Sequence, residues 1–71
     1  MYDLKQLSQM PWCKWQQFFL EDLCCISHQL GLDWVEVKRQ NSVYSRKRQN
    51  IPSNAKIASY LRRKIKERNQ K

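Results

Sequence analysis

Apolar residues in the first half of the chain recur at helical spacing. Trp12, Trp15, Phe19, Leu23, Ile26 and Leu30 are separated by 3, 4, 4, 3 and 4 positions, which places all six on one stripe of a helix with 3.6 residues per turn. Lys14, Gln17, Glu21 and His28 fall off that stripe. The pattern predicts an amphipathic scaffold helix over residues 8–30, with Ser8 as N-cap, Pro11 in the first turn and Leu7 stapled onto Trp12. Gly31 supplies a left-handed stop. Phe18 and Cys25 lie beside the stripe and form a second, weaker apolar flank.

A second helix is predicted over residues 53–68. Pro52-Ser53 opens it, and neither glycine nor proline interrupts it. Ile57, Ala58, Leu61 and Ile65 form its apolar side, and Lys56, Ser59, Arg62, Arg63 and Lys66 fall on the opposite side. Residues 69–71 are expected to fray.

Residues 32–51 support two readings. Asp33 followed by Glu36 has the spacing of a capping pair, and Trp34, Val37, Asn41 and Tyr44 would share one side of a middle helix. Val35, Val37 and Val43 suit strands instead, with Gln40-Asn41-Ser42 turning a hairpin between residues 33–39 and 43–48. The helix is preferred, followed by an exposed basic loop that carries Arg46, Lys47 and Arg48. The expected fold is therefore mainly α: a single small domain of two to three helices over residues 1–71, its middle segment a helix or a short β-hairpin.

Charge changes this picture. The chain of 71 residues has a net charge of +8, but residues 1–37 hold two cations against five anions, net −3, whereas residues 38–71 hold twelve cations and one anion, net +11. An acidic scaffold half thus precedes a basic contact half. So short a chain buries only about 60% of its unfolded surface, which leaves room for a second copy, joined through Phe18 and Cys25, or for a larger protein partner.

Arg46, Lys47, Arg48, Lys56, Arg62, Arg63 and Lys66 are the candidate nucleic-acid-binding residues. Cations grouped in this way neutralise phosphates and release condensed counterions, giving affinity that needs no base contact. Tyr44 is the candidate for stacking on a base. A helix-turn-helix is a sharper form of the same reading, with the last helix presenting Asn54, Ala55 and Ser59 near its start and Arg62, Arg63 and Lys66 beyond. The expected function is that of a small nucleic-acid-binding accessory or regulatory protein, for DNA or RNA. The alternative is an adaptor or inhibitor that docks its basic face on an acidic surface of a larger protein.

Other chemistry finds little support in the residues. Cys13, Cys24, Cys25 and His28 match no paired zinc-ligand spacing, so neither a metal nor another cofactor is expected. With one histidine, one glycine and no phosphate-binding loop, the chain is not expected to be an enzyme. The last helix lacks the bulky apolar face that would lay it on a membrane. No cleavable leader is visible, and the odd, irregular cysteine set suits an intracellular chain with free thiols.

Overall fold

The computed structural model describes residues 2–47 and 49–69. They form α1 (Leu4–Gln9), α2 (Trp12–Trp15), α3 (Leu20–Gln29), α4 (Trp34–Gln40), β1 (Ser42–Tyr44), β2 (Asn50–Pro52) and α5 (Asn54–Asn69). The fold is mainly α with a two-stranded antiparallel hairpin. Among the described residues no helix is long and apolar enough to cross a membrane.

The helix expected over residues 8–30 is three helices. Pro11 disfavours helical backbone at the residue before it, and Met10 is accordingly extended (φ −70°, ψ 134°), ending α1 and leaving Pro11 as the start of α2. Ser8 lies inside α1 and donates its hydroxyl to the Lys5 carbonyl (2.7 Å), so it is not the N-cap of a longer helix. A second break follows α2, where Phe19 is extended (φ −83°, ψ 168°) and its N–H donates to Asp22 Oδ2 (3.0 Å), opening α3. Phe18 turns inward there, its ring edge-on to Trp15 (5.4 Å) and Tyr2 (5.7 Å). Of the predicted stripe, Trp15, Leu23 and Ile26 are buried, Trp12 and Leu30 are half-buried, and Phe19 is exposed. Phe18 packs within its own chain, so the flank it was expected to share with exposed Cys25 does not form.

Gly31 ends α3 in the left-handed conformation (φ 74°), which glycine adopts without a Cβ penalty. Its N–H reaches the His28 carbonyl (3.0 Å), and the Leu32 N–H reaches the Ser27 carbonyl (2.9 Å). Asp33 then caps α4 by accepting from the Val35 N–H (3.0 Å). Both readings of the middle segment prove partly correct. A helix occupies residues 34–40, and a hairpin follows it with strands 42–44 and 50–52, later in the chain than 33–39 and 43–48. Val37 serves the helix and is buried, whereas Val43 pairs across the hairpin with Ile51. The Ser53 N–H donates to the Asn41 carbonyl (3.2 Å) and fastens the hairpin at its base.

α5 packs against α1 and α3 through Ile57, Ala58, Leu61 and Ile65, all buried as expected. Leu7, Trp15, Leu23, Ile26 and Val37 complete the core. Trp15 is 1% exposed, and its indole N–H donates to the Leu7 carbonyl (3.2 Å), so the largest core side chain also has its polar atom satisfied.

The N-terminal segment is tied to α3. The Tyr2 N–H donates to Gln29 Oε1 and the Gln29 amide returns a bond to the Tyr2 carbonyl, both at 2.8 Å, while the Tyr2 hydroxyl donates to Asp22 Oδ1. That bond, reinforced by burial, pushes the phenol up to about 12. The same bond, with help from the Phe19 N–H, holds the Asp22 carboxyl below the usual carboxylate range. The Asp22 contribution to stability is present above the unfolded carboxylate value and is lost as pH falls through the lower folded one. The Tyr2 contribution is present below pH 10 and is lost as pH rises toward 12. Urea midpoints measured between pH 2.5 and 6 should fall less steeply for Asp22→Asn than for the native chain; parallel acid limbs would contradict this linkage.

Candidate nucleic-acid interface

α5 turns by 100° per residue, so burying Ile57, Ala58, Leu61 and Ile65 sends the intervening cations outward. Ser59, Arg62, Arg63, Lys66 and Glu67 line one open hollow, and Asn41, Lys56, Ser59, Tyr60 and Arg63 line another. The two share Ser59 and Arg63 and form a continuous basic flank. From Lys56 to Lys66 it runs about 15 Å at 1.5 Å per residue. Arg62 is half-buried along its stem, and its Nε has no hydrogen-bond partner among the described residues.

Four of the five acids of the front half are used elsewhere. Asp3, Asp22 and Asp33 each accept a backbone N–H at a helix start at 3.0 Å, from Lys5, Phe19 and Val35 respectively, where the helix dipole also favours negative charge. Glu36 accepts from Arg39 Nη2 (2.7 Å) and Gln40 Nε2 (3.1 Å), which lowers its carboxyl below the usual range. Glu67 lies by the basic flank, with its carboxylate 4.0 Å from Lys64 Nζ. Among the described residues no ion pair within 4.0 Å involves Lys56, Arg62, Arg63 or Lys66.

The predicted basic loop is the tip of the hairpin. The Ser45 N–H donates to the Gln49 carbonyl (3.1 Å) and closes it, the Lys47 N–H reaches Ser45 Oγ (3.3 Å), and Arg46 and Lys47 are exposed. Arg48 lies outside the described residues. Tyr44 ends β1 and is 79% exposed, with its ring free to stack. The hairpin base meets the basic flank at Asn41, and three residues of strand carry the tip about 10 Å from that base.

The last helix, α5, does not follow another helix through a short turn as a helix-turn-helix requires, because the hairpin stands between α4 and α5. α3 and α4 are the two helices joined by a short turn, Leu30–Asp33, with Gly31 inside it. Lys38 and Arg39 of α4 were not among the predicted contact residues. The available sequence signal was a glycine stop followed two residues later by a capping aspartate. α4 buries Val37 and leaves Val35 (66%) and Arg39 exposed.

Beside α4, Leu20, Glu21, Cys24, Trp34, Lys38 and Pro52 line a largely apolar hollow, with Lys38 Nζ 5.6 Å from the Trp34 ring centre. Cys13, Cys24 and Cys25 are free thiols. No family model matches the chain, and no curated protein or solved structure matches it either.

Proposed function

We propose that this chain is a small nucleic-acid-binding accessory or regulatory protein that holds phosphates along the outer flank of α5 and at the hairpin tip. The observation that carries the proposal is the gathering of Lys56, Arg62, Arg63 and Lys66 on one open side, with no ion pair to neutralise them among the described residues. Arg46 and Lys47 add charge at the tip, Arg48 follows them in sequence, and Tyr44 offers an exposed aromatic face. Cations so placed bind any polyphosphate backbone through counterion release.

The test is a mobility shift of purified duplex by the chain alone, titrated with salt. With five to seven phosphate contacts, log affinity should fall against log salt with a slope of roughly −4 to −6. Absence of a shift at low salt would remove the proposal. It would favour the second reading, an adaptor docking on an acidic surface of a larger protein, which the apolar hollow around Trp34 and Pro52 supports because protein interfaces are apolar at their centres.

A further inference from the structure

We infer that α4 is a base-reading helix and that the nucleic acid this chain prefers is duplex DNA, entered through the major groove. The inference rests on the nucleic-acid reading above and adds to it a specific surface and a specific form of duplex.

Helices α3 and α4, with the glycine turn between them, have the connection of a helix-turn-helix, in which the second helix lies in the major groove with its early residues against base edges. The outward side of α4 has the side chains for that task. Val35 is 66% exposed on the first turn and lines an open hollow with Pro52, where its methyl groups can contact a thymine methyl group. Arg39 lies one turn further on the same side and is largely exposed. Glu36 and Gln40 complete the face, linked through Glu36 Oε1 to Arg39 (2.7 Å) and Gln40 (3.1 Å). Arginine recognises guanine by paired bonds, glutamine recognises adenine, and glutamate accepts from cytosine.

Cationic side chains flank this face. Lys38 lies in an open hollow with Val35 and, from the hairpin, Ser42, Asn50 and Pro52, and Asn41 at the end of α4 shares another with Lys56 and Arg63 of the α5 flank. Lys38, and Lys56 and Arg63 across Asn41, are the cations close enough to hold the backbone beside the helix. A helix with its side chains is about 10–12 Å across, which a major groove about 12 Å wide admits. The major groove of duplex RNA is too deep and narrow to admit it.

The experiment is selection from a pool of random 20-bp DNA duplexes with the full chain, followed by affinity measurements on the selected site, a scrambled DNA duplex and a duplex RNA of the selected sequence. A short consensus should emerge, bound more tightly than scrambled DNA or RNA. Arg39→Ala should weaken binding to the selected site by roughly 5- to 150-fold, the range of one paired base contact, with less than twofold change on scrambled DNA. Arg39→Lys keeps the charge and loses the planar fork, so it should show the same selective loss. Both variants alter an exposed side chain, and their thermal melts should match that of the native chain.

No consensus, equal losses on both DNA duplexes, or RNA bound as tightly as DNA would overturn the inference while leaving phosphate binding by α5 intact. No binding to any duplex would overturn both.

Discussion

Replacing Lys56, Arg62, Arg63 and Lys66 together by glutamine is expected to weaken duplex binding by about a thousandfold to ten-thousandfold at 0.1 M salt, since each lost phosphate contact forfeits nearly one logarithmic unit there. The slope of log affinity against log salt should become shallower by about 3.6, four contacts at 0.9 each. Glutamine retains much of each aliphatic stem, which matters most at half-buried Arg62. The folded state should be nearly unchanged, because Lys56, Arg63 and Lys66 are exposed on the side away from Ile57, Leu61 and Ile65. An unchanged slope with a native melt would show that the α5 flank does not meet phosphate, whatever the hairpin contributes.

Trp15→Ala is expected to abolish cooperative folding. Truncating a buried tryptophan costs about 3–5 kcal/mol, and a core in a chain of this size seldom supplies more than about 3–5 kcal/mol altogether. Trp15 is also the junction of three contacts: the Leu7 carbonyl at the end of α1, the edge of Phe18, and the core beneath α5. Circular dichroism should show a broad, shallow melt and loss of the aromatic signal. A sharp transition within a few degrees of the native one would mean that the core is held mainly by the contacts of α5 with α3.

The parts of the fold that were legible are those whose cause is local. α5 follows from Ile57, Ala58, Leu61 and Ile65 at unbroken helical spacing after Ser53, and the same geometry placed Lys56, Arg62, Arg63 and Lys66 on its open side. The scaffold region misled because apolar spacing continued across two breaks. Trp12, Trp15, Leu23 and Ile26 still turn toward the core, although Met10 and Phe19 are extended between and before them. Pro11 is tolerated in a first turn, but its stronger effect is on Met10, the residue it follows.

Contacts distant in sequence had no signature to find. Tyr2 meets Gln29 across 27 positions, and Asn54 Nδ2 reaches the Phe18 carbonyl (3.3 Å) across 36. In the middle segment the two candidate structures are consecutive, so each accounted for part of the same valine-rich run. The outward face of α4 was missed for a related reason: Val35 resembles a core residue until Val37 is seen to take that place.

The basic flank of α5 is short. Fifteen ångströms of helix lie along about four base-pair steps at 3.4 Å each. On the proposed function, the charged helix of a single molecule would span only a few steps of any long polymer, and neighbouring copies cannot approach one another that closely. Occupancy at saturation is then set by the girth of the domain, roughly 20 to 24 Å across its narrower dimensions, and not by the reach of its charged helix.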